Sequence, residues 1–154
     1  MGIDNAGEVS ELHQRIRELF ASQLLCVLST YNQKQPYSNL VAFAETDDLR
    51  SMVFVTNRKT SKYTNAITNR NVALLVDSRT NTNLDFSEAI AVTSLGTVEE
   101  VAGIDADNLS QTFLSKHPYL KDFVRSADSA LMRVRVKKLV VAGFSETNLI
   151  IFDR

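Results

Sequence analysis

Cysteine occurs once in this chain of 154 residues and histidine twice. A lone Cys26 can form no disulfide within the chain and cannot build a thiolate metal cluster. It sits in the apolar run Leu24-Leu25-Cys26-Val27-Leu28, where a small soft side chain serves as packing. His13 and His117 are too far apart in sequence to form a spaced pair of metal ligands, so no metal is expected. A dominant sign of charge is missing as well. Against 17 Lys and Arg stand 18 Asp and Glu, a net charge of −1, which excludes the broad basic footprint of a nucleic-acid partner. No stretch approaches the roughly 18 apolar residues that a membrane helix needs, and the polar, acidic start carries no apolar signal segment. A cytoplasmic protein with neither nucleic acid nor membrane as partner is expected. Glycine is absent from residues 51 to 65, so neither a GxxxxGK(S/T) phosphate loop nor a GxGxxG dinucleotide fingerprint lies there.

What is present is a 44% apolar sequence whose periodicity changes along its length. Residues 8–23 predict an amphipathic helix, with Leu12, Ile16, Leu19 and Phe20 on one face and Asn5 with Glu8, or Ser10 alone, as its cap. Short β-prone runs follow at 24–30, 36–45 and 51–56, separated by polar turns, as in a meander of antiparallel hairpins. A short helix is predicted over 60–69 with Thr60 or Ser61 as N-cap and Tyr63, Ala66 and Ile67 facing inward. Strands are expected at 72–76 and 89–101, the latter carrying Gly96 as a bulge or close-approach point, with a polar loop at 77–88 between them. Helical spacing returns at 105–115 and 119–125, and strands at 131–141 and 149–152 close the sequence. The pattern predicts one mainly β (α+β) domain over 1–154, an antiparallel barrel of about six to seven strands with peripheral helices. Its parts are an N-terminal helix (1–23), a barrel core (24–101), a helical insertion (102–128) and closing strands (129–154).

One stretch concentrates charge. Residues 56–65 read TNRKTSKYTN, placing three cations and several hydroxyls between two apolar runs. If Thr60 begins a helix, the first backbone N–H groups have no intrahelical partner. The dipole then favours a negative group by about 0.3–1 kcal/mol. Thr60 and Ser61 add hydroxyls, Lys62 an ammonium and Arg58 a planar fork. Such a set can cradle a phosphate. The same composition also fits a solvated turn bearing ordinary surface lysines.

Several pieces in order resemble the pyridoxamine 5′-phosphate oxidase-like family of flavin-binding split β-barrels. They are Pro36-Tyr37-Ser38-Asn39-Leu40-Val41-Ala42-Phe43, then Phe54 to Asn65, then Asn69 to Asp77, then Ala91 to Glu99. The resemblance implies FMN held non-covalently in a homodimer, with the flavin sites at or near the interface. It implies that Thr60, Ser61 and Lys62 hold the flavin phosphate with Arg58 assisting. Val55 and Thr56 would border the isoalloxazine ring, Ser38 and Asn39 would touch the ring or ribityl chain, and Arg79 is a further candidate. Many relatives carry an arginine where this chain has Ser61, and Arg58 is expected to supply the missing charge. Lys59 is expected to be solvent-exposed.

The resemblance further implies a flavin-dependent oxidoreductase acting on a small molecule or using a nicotinamide donor, with a deazaflavin as a variant. Flavin carries the redox chemistry, so no dedicated acid, base or nucleophile is required of the protein. No catalytic residue is therefore assigned. The name-giving enzyme closes with an arginine- and tryptophan-containing segment, whereas this sequence has no tryptophan and offers only Arg154, so oxidation of pyridoxamine phosphate is not expected. Two alternatives stay open: a non-catalytic flavin-binding protein for storage or sensing, and a haem-binding or haem-degrading relative, for which His13 and His117 are the only histidine ligands.

Overall fold

The apolar stripe of the N-terminal segment becomes α1 (Asn5–Ser22) in a computed structural model that describes residues 5–152. Ile16, Leu19 and Phe20 are buried on one face, as the helical period requires. Ser10 lies inside this helix and caps nothing. The Asn5 side chain and Arg154 lie outside the described residues.

Three strands follow: β1 (Leu25–Tyr31), β2 (Pro36–Glu45) and β3 (Ser51–Asn57). Side chains close both hairpin turns. Asn32 Oδ1 accepts the amides of Lys34 and Gln35 at 3.2 and 3.0 Å. Asp48 Oδ1 accepts the Thr46 hydroxyl at 2.6 Å and the Arg50 amide at 2.9 Å; these bonds, the hydroxyl foremost, hold its carboxyl below the usual range. The chain continues through α2 (Ser61–Thr68), β4 (Asn71–Asp77), the single turn α3 (Asp85–Glu88) and β5 (Ala91–Glu100). Then come α4 (Gly103–Lys116), a 3-10 turn (Pro118–Leu120), α5 (Lys121–Arg125), β6 (Ser129–Ala142) and β7 (Thr147–Ile151).

The sheet order is β3-β2-β1-β4-β5-β6-β7, all antiparallel, and β3 also pairs with β6. That second pairing closes six strands into a barrel and leaves β7 as an extra strand. One edge of β6 changes partner partway. Residues 129–135 pair with β3 and residues 138–142 with β7. The change falls at a bulge, where Leu95 opposes Lys138, Gly96 opposes Val136, and Lys137 is the extra residue. There Val136 donates to the Arg50 carbonyl at 2.9 Å, while the Lys137 carbonyl accepts from Phe152 at 2.9 Å. Gly96 is thus the close-approach point that the sequence predicts. A Cβ at this position would strike the backbone carbonyl of Arg135.

Inward-facing residues fill the barrel with Leu28, Phe43, Met52, Phe54, Leu74 and Met132. α1 plugs one end, its Phe20 ring meeting Phe43 edge to face at 5.8 Å. α2 plugs the other through Ala66, with Asn65 Nδ2 donating to Thr30 Oγ1 at 3.1 Å. Ile67, expected to face inward, is 44% exposed. Outside the barrel, Leu109 and Phe113 of α4 pack over Ala44, Val53 and Val55. The end of α4 is latched. Lys116 Nζ donates to the Phe20 carbonyl at 2.8 Å and to Glu45 Oε2 at 3.0 Å, and lies 3.7 Å over the Phe43 ring. Burial lowers the Lys116 pKa, and the Glu45 pair opposes that effect. Nearby Cys26 is buried, and burial pushes its thiol up to about 12, which fits an inert packing residue.

Gly96→Ala tests the bulge. Overpacking against a fixed carbonyl costs about 1–3 kcal/mol, so urea unfolding should show a loss of that size. Parent-like stability would mean that the β5–β6 register is not pinned there.

Candidate functional site

The β2–β3 ladder is short. Only Phe43, Ala44 and Glu45 pair with Phe54, Val53 and Met52. Residues 36–42 of β2 bond to β1 alone, and residues 55–57 of β3 pair with β6 alone. Among the described residues no ladder joins these stretches, so a wedge opens between the strands. Continuing the register past Phe43 and Phe54 carries Val41 towards Thr56 and Asn39 towards the β3–α2 loop. Strand alternation turns Asn39 and Thr56 inward and Ser38 and Leu40 outward.

The polar groups at this wedge are only partly satisfied. Asn39 Oδ1 is buried without a hydrogen-bond partner, a cost that a bound donor would remove. Ser38 Oγ meets Ser29 Oγ at 3.2 Å. Thr56 is buried, and its Oγ1 lies 3.0 Å from Thr60 Oγ1. Val55 is buried too, but its side chain packs under α4 with Leu109 and Phe113, leaving only its backbone at the wedge.

Thr60 occupies the N-cap of α2 in extended conformation, yet its side chain caps nothing. Its hydroxyl donates back to the Asn57 carbonyl at 2.7 Å. The first intrahelical bond runs from Thr64 N–H to Thr60 O at 3.2 Å, so the amides of Ser61, Lys62 and Tyr63 precede the ladder. Ser61 is exposed. The half-buried Lys62 has no ion pair or side-chain hydrogen bond among the described residues. Uncapped amides, a free hydroxyl and an unpaired ammonium thus share one turn, and cations at a helix N-terminus oppose the dipole unless an anion joins them.

Arg58 does not point to that turn. Its guanidinium forms an ion pair with Glu100 Oε1 and donates to the Ala127 carbonyl at 2.9 Å, while its amide donates to the Asp128 carbonyl at 2.8 Å. Tyr63 OH reaches the other Glu100 oxygen at 2.7 Å. Burial works to raise the Glu100 pKa, but hydrogen bonds from Tyr63 and Arg58 and the guanidinium charge outweigh it and hold the carboxyl below its ordinary value. Lys59, largely exposed, pairs with Asp128 at 3.2 Å. These contacts clasp the β3–α2 loop to the end of β5 and to the turn before β6. The charge that Arg58 was expected to lend to Ser61 is therefore committed to Glu100. Sequence reasoning missed Glu100, because a carboxylate 42 positions away gives no local signal.

Arg79 stands apart. It follows β4 at the end away from α2, about 20 Å along the strand at 3.3 Å per residue, and its Nε pairs with Asp77 at 3.2 Å. The structure brings Ser38, Asn39, Thr56, Thr60, Ser61 and Lys62 to one end of the barrel and leaves Arg79 outside that group. His117 is buried, with Nε2 2.6 Å from the Phe43 carbonyl, and His13 bonds to the Val9 carbonyl within α1 at 2.7 Å.

Stability gained from a carboxylate with a lowered folded-state pKa is present above its unfolded value and is lost as pH falls through the folded one. Glu100→Gln should therefore be less stable than the parent at pH near 7, and the gap in urea unfolding should close below the ordinary carboxylate value of about 4.3. A gap independent of pH would show that the Glu100 charge is not what holds the clasp.

A family model described as pyridoxamine 5′-phosphate oxidase matches residues 12–141. Comparison with curated proteins found no match. Among solved structures, the fold superposes on a haem-binding protein from Mycobacterium smegmatis with a TM-score of 0.80 at 14% identity, covering 90% of this chain and 57% of that one. General Stress Protein 26 from Bacillus anthracis matches with a TM-score of 0.71 at 18% identity, covering 92% and 99% of the two chains. A FAD-binding protein from Mesorhizobium loti matches with a TM-score of 0.68 at 16% identity, covering 83% and 90%. At these identities the likeness is one of fold. The chain spans little more than half the length of the M. smegmatis protein.

Proposed function

This chain belongs to the pyridoxamine 5′-phosphate oxidase family, and on that premise we propose that it binds FMN and serves as a flavin-dependent oxidoreductase for a small molecule. The observation that carries the reading is the uncapped start of α2 beside an unpaired Lys62. The donor set fits a phosphate monoester: three free amides, the Ser61 hydroxyl and one ammonium. In this reading Thr60 shapes the turn, while Ser61 and Lys62 hold the phosphate. Asn39, whose buried oxygen lacks a donor, meets the ring or ribityl chain, with Ser38, Thr56 and the Val55 backbone beside it. Arg58 acts through Glu100 by fixing the loop and does not touch the phosphate. Bound flavin would supply the redox chemistry, and this chain's residues would position it and admit a donor.

A second copy completes the reading. Outward-facing Leu25 and Leu40 are 51% and 66% exposed, and Leu95 lies on the same outer face. Apolar surface gathered in this way marks an interface, and two-fold pairing is the commonest way to cover it. Leu40 neighbours Asn39 on the free edge of β2, so a copy docked there also closes over the wedge. A haem reading finds less support: a described neighbour binds haem, but His117 Nε2 is already engaged with Phe43 O.

The purified protein should be yellow, with the visible absorption of oxidised flavin, and should turn over with a nicotinamide or small-molecule donor. A yellow protein without turnover would reduce the reading to flavin binding alone, and a Soret band on haem addition without flavin retention would overturn it. Lys62→Ala with Ser61→Ala should weaken FMN binding by about 2–4 kcal/mol, the scale of one or two charge-assisted bonds, whereas Lys59→Ala should change it little. Leu40→Asp should convert a dimer into monomers on sedimentation. A parent that is already monomeric would sink the interface.

A further inference from the structure

The segment after β4 is braced far more than a surface loop requires. Ser78 donates its amide to the Ile90 carbonyl, and Ile90 donates its amide to Ser78 Oγ, both at 3.0 Å. Within the loop the Asp85 carboxylate accepts the amides of Thr80 and Asn81 at 2.8 and 2.7 Å and the Thr80 hydroxyl at 2.9 Å. Asn81 takes a φ of 62° to allow this. The rigid loop presents Phe86. Opposite, the β6–β7 turn, closed by Gly143 N–H to Glu146 O at 2.9 Å, presents Phe144. The two rings meet edge to face, 5.3 Å between centroids, yet they remain 64% and 74% exposed. They overhang a cleft of about 650 Å³ that also has Ile90, Ala91 and Ala142 in its wall, a size suited to a small molecule. Arg79 stands in the same wall. Asp77 holds its Nε at 3.2 Å, and its two terminal nitrogens have no partner among the described residues.

We propose that this cleft is a second ligand site, for a flat aromatic molecule bearing a carboxylate. The ring system lies against the Phe86–Phe144 pair, where apolar burial and edge-to-face contact favour it. The carboxylate takes the outer fork of Arg79, whose planar geometry matches two oxygens, and Asp77 fixes the orientation of that fork. The site lies at the opposite end of β4 from Lys62 and does not depend on the flavin reading.

Calorimetry with 2-naphthoate and its neutral counterpart 2-naphthylmethanol tests the proposal, on the protein as purified and again with excess FMN. Saturable binding of one naphthoate per chain is expected in both conditions. Arg79→Gln should weaken naphthoate binding about tenfold, the scale of one charge-assisted hydrogen bond, and leave 2-naphthylmethanol unchanged. Phe86→Ala with Phe144→Ala should abolish both while the melting temperature stays near that of the parent. Naphthoate binding that survives the double variant, or that FMN displaces, overturns the site. So does a double variant that sediments as a smaller species than the parent, since the rings would then belong to an interface between copies. Failure of FMN to bind leaves the measurement on the purified protein readable, so the two readings stand or fall separately.

Discussion

Fourteen consecutive residues of β6 hold the barrel closed. One edge follows β5 along its length, and the other serves β3 first and β7 afterwards. Ladder geometry allows such a change of partner only where the strand is re-aimed, and the Lys137 bulge opposite Gly96 does that. The constraint reaches the whole molecule. Closing β3 onto β6 fixes where β3 ends, and the end of β3 fixes where α2 begins.

β3 pairs with β6 from Ser51 to Asn57 but with β2 only from Met52 to Phe54, so β2 and β3 part company beyond Phe43 and Phe54. The wedge between them leaves the β2 edge without a ladder partner and the buried Asn39 Oδ1 without a donor among the described residues. The clasp of Arg58 and Tyr63 on Glu100 then holds the neighbouring loop so that α2 starts at the mouth of the wedge. Positive charge is divided in this arrangement. Arg58 and Lys59 are used to hold the loop, and among the described residues Lys62 at the helix start has no such partner. An anion held there would meet more backbone amides than ion-pairing side chains.

Two other surfaces follow from the same closure. The outer face of β1 and β2 beyond the reach of α4 stays apolar and uncovered, and the loops at the far end of β4 and β6 carry two phenylalanines in water. α4 cannot cover the first face because Lys116 and His117 latch its end to α1 and β2. The result is a barrel with one polar opening, one apolar flank and one aromatic cleft, each set by which strand edge is already taken.

Local pattern in the sequence determined most of the secondary structure. The 3.6-residue stripe of α1, the hairpin turns, seven alternating strands and the special position of Gly96 were all legible, because each rests on interactions within a few residues. The motif at 56–65 was legible as a strand passing into a helix, and the order of its neighbours pointed to the family. Only the tertiary structure decided that Arg58 serves Glu100, that Val55 packs beneath α4, and that Phe86 meets Phe144. Each of these depends on residues brought together from distant parts of the chain by barrel closure. Sequence spacing carries no record of such pairings, since long side chains choose partners by where strands end in space.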